Sequence, residues 1–177
     1  IFMFTLIEIT PYDETSLKLD YLFIREATNT NWKKRYQLSC LLKGIPVIKQ
    51  GTLSDFEYFK KTIKQKAPYE FASKKYLLLL NGNPVSSIYT MERNKNIIDL
   101  TVTTLPKYRK KGYAKRAIKM IEEKLFSNPD ILFTTITDIT KEKISSKIAI
   151  TLGYTYHEET NTFIKANPIL VINCSMS

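Results

Sequence analysis

Histidine occurs once in the 177 residues, as His157, and cysteine only twice, as Cys40 and Cys174. One histidine excludes a HExxH zinc helix and any site built on two imidazoles. Two cysteines so far apart form neither a metal knuckle nor a disulfide framework, so no metal site is expected and both thiols are read as reduced. With 5 glycines and 7 prolines the chain is neither collagen-like nor of low complexity. Long apolar runs are also missing. The longest lies around Leu77–Leu80, far short of the roughly 20 residues that span a bilayer. The apolar N-terminus, Ile1 to Glu8, has no basic leader and no small-residue cleavage site, and reads as a strand. Together these absences predict a soluble, cytoplasmic protein with no membrane partner.

What is present is an apolar fraction of 44% and an aromatic fraction of 12%, enough for one folded domain over residues 1–177. The balance of 27 basic against 17 acidic residues gives a net charge of +10. Basic stretches at 33–49, 60–75 and 107–119 raise a nucleic-acid-binding module as one reading. Against it, no RNP, KH or zinc-finger pattern appears. Isoleucine and lysine are abundant while arginine is scarce, a bias that an AT-rich coding sequence produces without selection for charge.

Thr10-Pro11-Tyr12-Asp13 predicts a helix start, followed by Leu17, Tyr21 and Ile24 at helical spacing. Residues 29–52 show no clean period beyond a short helix around Arg35–Leu42. Ser54 to Glu57 reads as a capping box opening a helix to about Gln65. Tyr76–Leu80, Val85–Met91 and Ile97–Thr104 predict three strands, joined by turns at Asn81–Pro84 and Arg93–Asn96. A helix after Gly112 presents Ala114, Ala117, Ile118, Ile121 and Leu125 on one face. Ile131–Thr137 is then a strand, Lys141–Leu152 a helix ended by Gly153, and Tyr154–Glu158 with Thr162–Lys165 a closing hairpin. This order predicts a mixed α/β domain.

The chemistry concentrates in Leu100–Phe126. A glycine-bearing loop entering a helix gathers unpaired backbone N–H groups at the positive end of the helix dipole, which suits a phosphate. Between Lys107 and Lys119 there are seven cations and no acid: Lys107, Arg109, Lys110, Lys111, Lys115, Arg116 and Lys119. The loop is neither a GxxxxGK[ST] nor a GxGxxG motif. It does match R-x-x-G-x-A, as Arg109, Gly112 and Ala114. This resembles the coenzyme A pyrophosphate loop of the GNAT superfamily of N-acetyltransferases. A second signature of that family, a late helix ending in L-G-F or L-G-Y, resembles Ser145 to Leu152-Gly153-Tyr154. The resemblance covers residues 70–166; residues 1–69 match only as a strand followed by helices, and 167–177 form a tail.

The resemblance implies a GNAT-like acyl-CoA-binding fold, a central mixed sheet with helices on both faces. It implies acetyl-CoA as cofactor and direct transfer of acetyl to a primary amine through a tetrahedral intermediate. Val102, Thr103 and Thr104 would meet the pantetheine arm. Arg109, Lys110, Lys111, Gly112, Tyr113, Ala114 and Lys115 would hold the pyrophosphate. Two family positions differ. The usual tyrosine acid is Ala149 here, and Ser145, one turn earlier, is the replacement candidate for bonding the pantetheine or the thiolate. The usual glutamate base falls at Ile98, with Asp99 beside it as the candidate base, on the opposite face by strand alternation unless a bulge intervenes. A water chain or capture of the free amine serves equally. The readings to separate are therefore an N-acetyltransferase, a catalytically degenerate acyl-CoA-binding relative of that fold, and a nucleic-acid module. The partner is an amine of unnamed identity. The tail Ile169-Leu170-Val171-Ile172 either adds a strand, packs locally or meets a second copy in a homodimer.

Overall fold

The computed structural model describes residues 2–27, 56–57, 59–61, 73–137 and 143–170. The elements in chain order are β1 (Phe4–Ile9), α1 (Glu14–Ala27), β2 (Ser73–Leu80), β3 (Asn83–Asn94) and β4 (Ile97–Thr104). A short 3-10 turn, Pro106–Tyr108, follows. Then come α2 (Tyr113–Phe126), β5 (Phe133–Thr137), α3 (Lys143–Thr151), β6 (Thr155–His157) and β7 (Thr162–Ala166). The expected helix at 35–42, most of the capped helix after Ser54, both cysteines and the distal tail lie outside the described residues.

The strands form one sheet in the order β1-β2-β3-β4-β5-β7-β6. Only β4 and β5 run parallel; every other neighbour is antiparallel. Alternation along each strand divides the side chains between two faces. On one face Tyr76, Leu78, Ile88, Ile98 and Leu100 are buried with Ala117, Ile118 and Ile121 of α2 and with Ala149 of α3. On the other, Leu77 and Leu79 are buried with Phe23 of α1 and Leu105. Helices therefore cover both faces, as expected. The run of leucines in β2 is explained by this: a strand buried on both sides needs no polar alternation.

Local differences from the sequence reading have physical causes. α1 opens at Glu14 rather than Pro11, because Asp13 takes over the cap, its Oδ1 accepting from the Thr15 N–H at 3.1 Å. β3 runs on through Arg93 to Asn94 where a turn was expected. Glu92 pairs with Ile98 and Asn94 with Ile97, so Arg93 is the extra residue of a β-bulge.

Candidate functional site

The parallel β4–β5 ladder is short. It consists of Ile97 with Phe133, Ile98 with Thr134 and Asp99 with Thr135. Past Asp99, β4 keeps its pairing with β3 to Thr104, and β5 keeps its pairing with β7 to Thr137. Each strand follows its own antiparallel neighbour, and a notch opens between them. The Leu105 N–H donates to the Val85 carbonyl at 3.0 Å, so the main chain of Leu105 faces β3. Alternation then turns Thr103 and Thr101 toward β3, and turns Leu100, Val102 and Thr104 toward the notch. Of the three residues expected to meet a pantetheine arm, Val102 and Thr104 thus present backbone groups there. Thr103 does not, and has only its exposed side chain to offer.

Downstream, Pro106 ends the strand and the chain turns through Arg109 to Gly112. Lys110 (φ 62°) and Gly112 (φ 80°) both adopt left-handed backbone. Gly112 is the N-cap of α2 and its carbonyl accepts the first helical bond, from the Arg116 N–H at 3.1 Å. A glycine cap has no side chain to satisfy the first turn, so the N–H groups of Tyr113, Ala114 and Lys115 are left for another acceptor. Arg109 Nε donates to the Thr104 carbonyl at 3.2 Å, tying the loop to the end of β4. Tyr113 is wedged between Phe4 and Tyr108, with ring centroids 5.6 and 6.1 Å away, which fixes where the helix starts. Lys107 is committed to Glu26 at 2.5 Å. Among the described residues no acid pairs with Lys110, Lys111, Lys115 or Lys119. Free N–H donors and unpaired cations on one loop fit an anionic diphosphate such as that of coenzyme A.

Asp99 lies at the closed end of the notch, and strand alternation holds: its side chain is on the face opposite Ile98. The carboxylate is buried, at 4% exposure. Its Oδ1 accepts from Thr135 Oγ1 at 2.7 Å and Thr137 Oγ1 at 3.0 Å. Arg93 reaches over from the bulge, with Nη2 at 3.5 Å from Asp99 Oδ2 and 3.1 Å from Thr137 Oγ1. The bulge that the sequence reading allowed for at Asp99 is six residues earlier, and it serves the arginine. Ser145 falls in the first turn of α3, one turn before the fully buried Ala149; its side chain lies outside the described residues. His157, Glu158 and Glu159 are exposed at the closing hairpin.

One buried cluster was not foreseen. Tyr154, of the L-G-Y signature, donates to Glu122 Oε1 at 3.1 Å and shares a hydrogen bond of 2.9 Å with Thr134 Oγ1. Lys165 Nζ sits 2.9 Å from Glu122 Oε2. The only sequence signal for it was a glutamate, Glu122, next to the apolar stripe of α2. Burial, and then the Glu122 charge, push the Tyr154 phenol above the ordinary value of 10.0. Above about pH 10 the unfolded chain therefore loses a proton that the folded chain keeps. Stability is fully present below that pH and falls as pH rises, by about 1.4 kcal/mol per pH unit. Tyr154→Phe is expected to flatten this alkaline slope in urea titrations between pH 9 and 11; an unchanged slope would place the loss elsewhere.

No protein-family model matches the chain, and no curated protein matches its sequence. Solved structures do match. An aminoglycoside acetyltransferase in complex with coenzyme A superposes with a TM-score of 0.64 at 11% identity, covering 99% of this chain and 100% of that one. A spermidine N-acetyltransferase from Vibrio cholerae, in complex with coenzyme A and spermine, gives 0.61 at 11% identity over 93% and 96%. A GNAT-family acetyltransferase from Streptococcus pneumoniae gives 0.55 at 13% identity over 93% and 99%. The fold is that of the GNAT acetyltransferases. Among the described residues no helix is long and apolar enough to cross a membrane, and no cluster of ligating side chains could hold a metal ion.

Proposed function

We propose that the protein is an acetyl-CoA-dependent N-acetyltransferase acting on a primary amine. The observation that carries this is the splayed β4–β5 pair running into the glycine-capped N-terminus of α2. Acetyl-CoA supplies an activated acyl group as a thioester. The N–H groups of Tyr113 to Lys115, with Arg109, Lys110 and Lys111 around them, hold the diphosphate, while Val102 and Thr104 pair with the pantetheine amides. Leu100 and Val102 aim N–H donors into the notch, where negative charge develops on the acyl oxygen during transfer. The amine must arrive neutral. Asp99, at the closed end and bridged to the notch wall by two threonine hydroxyls, is the candidate proton acceptor. Ser145 is the candidate for bonding the leaving thiolate, at the helix position one turn before Ala149.

Release of free thiol across a panel of primary amines tests the reading. Asp99→Asn preserves shape and removes the basic carboxylate. It is expected to lower kcat by about 100-fold while leaving the coenzyme A-induced rise in melting temperature intact. An unchanged kcat would assign deprotonation to solvent. The buried Ala149, where the family's tyrosine acid would stand, favours a second reading: a GNAT-fold protein that binds acyl-CoA without turnover. Coenzyme A binding with no thiol release from any amine would select it.

A further inference from the structure

Three side chains of β3 project in line on the sheet face that carries Asp99: Tyr89, Met91 and Arg93. Tyr89 and Met91 are each 46% exposed, although both are large and apolar in character. Register places Tyr89 beside Thr101 and Met91 beside Asp99, so the strip runs next to β4 past the closed end of the notch, on the face opposite α2. Coenzyme-binding groups occupy the α2 side, which leaves this face for the acceptor.

Arg93 completes the strip. Its side chain is 46% exposed, against 5% for the Asp99 carboxylate beneath it. A guanidinium has five N–H donors in a rigid fork. Only Nη2 is engaged, with Thr137 and at 3.5 Å with Asp99, and Nε and Nη1 have no partner among the described residues. The bulge at Arg93 is what re-aims this side chain across β4 toward the end of β5. At the closed end of the notch the described carboxylate on this face, Asp99, is already matched by Arg93 and the threonines. Among the described residues this face therefore offers a hydrogen-bonding cationic fork with open donors and no spare carboxylate for an oligocationic amine.

Resting on the acetyltransferase reading, we infer that the acceptor is an amine that also carries an anionic group, with a carboxylate as the fitting chemistry, and that Arg93 is the residue that selects it. The carboxylate docks on the open edge of the guanidinium. The amino group is held close by, at the closed end of the notch beside Asp99, and an apolar substituent of the acceptor lies over Met91 and Tyr89. A diamine or polyamine would instead set a second ammonium against Arg93.

The test uses matched pairs of amino acids and dipeptides, each as free carboxylate and as primary amide, with thiol release as readout. The quantity read is the ratio of kcat/KM for carboxylate over amide. The wild type is expected to favour the carboxylate by about 10- to 100-fold, the range of a charge-assisted bidentate contact. Arg93→Ala is expected to collapse the ratio to about one, and Arg93→Lys, which keeps the charge but not the fork, to leave it intermediate. Two results overturn the inference: a wild-type ratio near one, or an Arg93→Ala protein that loses rate on both forms equally and keeps the ratio. The latter would make Arg93 only the counter-ion of Asp99. Coenzyme A binding with turnover confined to polyamines also overturns it, and leaves the acetyltransferase reading standing. Failure of coenzyme A itself to raise the melting temperature overturns that reading and this inference together.

Discussion

Coenzyme A at one hundred times its dissociation constant is expected to raise the melting temperature by about 5–10 °C, and Gly112→Asp to abolish the rise. The size of the effect depends on what replaces the glycine. At φ 80° an L-residue takes on left-handed strain of roughly 1–2 kcal/mol. That strain alone is too small to remove the site. An aspartate carboxylate, however, sits at the N-terminus of α2, where it satisfies the same N–H groups that a diphosphate needs and repels the phosphates as well. The unliganded protein loses little stability while the ligand effect disappears. Gly112→Ala separates the two causes. An added Cβ meets nothing within 4 Å, so this variant carries the strain without the charge. It is expected to melt slightly lower and still respond to coenzyme A. Differential scanning fluorimetry with and without the ligand reads both variants. A full response from Gly112→Asp would mean that the helix N-terminus does not hold the phosphates.

The second large effect concerns stability. Asp20→Ala is expected to cost about 3–5 kcal/mol, a fall in melting temperature of roughly 6–20 °C. Asp20 on α1 is 1% exposed. Its partner Lys75 on β2 is 12% exposed at the side chain, with the ammonium 5.7 Å from the Phe23 ring and 5.3 Å from the Tyr89 ring. Removing the carboxylate strands that ammonium in apolar surroundings with little route to water. The Glu122–Lys165 pair is the useful contrast. Its lysine side chain is 25% exposed and can turn outward, so Glu122→Ala should cost clearly less. Replacing Asp20 and Lys75 together by Leu and Met is expected to recover most of the loss, because the penalty lies in the orphaned charge rather than in the lost pair. Chemical denaturation of the single and double variants checks this; a double variant no better than Asp20→Ala would mean the pair itself is the stabilising element.

Strand identities, the position of Gly112 and the two family signatures were legible in the sequence because each depends on neighbours a few residues apart. β-branched residues favour extended chain, a glycine takes positive φ, and a helix face repeats every 3.6 residues. The resemblance drawn from Arg109, Gly112, Ala114 and Leu152-Gly153-Tyr154 agrees with the fold that the solved structures share. The same local rules put Asp99 on the face opposite Ile98.

What the sequence did not reveal depends on contacts made across the sheet. The notch exists because β4 and β5 part after Asp99 and Thr135, each held by a different antiparallel neighbour, and no residue in either strand signals that divergence. Arg93 read as part of a polar turn, since a bulge is a mismatch between two strands and cannot be seen in one. Its guanidinium meets Asp99 and Thr137, six and 44 residues away in sequence. Tyr154, Glu122, Thr134 and Lys165 read separately as a signature aromatic, a helix charge, a strand hydroxyl and a hairpin lysine. Burial makes them one network, because a carboxylate and a phenol taken out of water must find partners wherever the fold brings them close. Local physics thus determined the elements and the glycine-bearing loop that enters α2. Long-range pairing decided where the sheet opens and which charges lie beside the opening, because strand divergence and burial depend on partners far away in sequence.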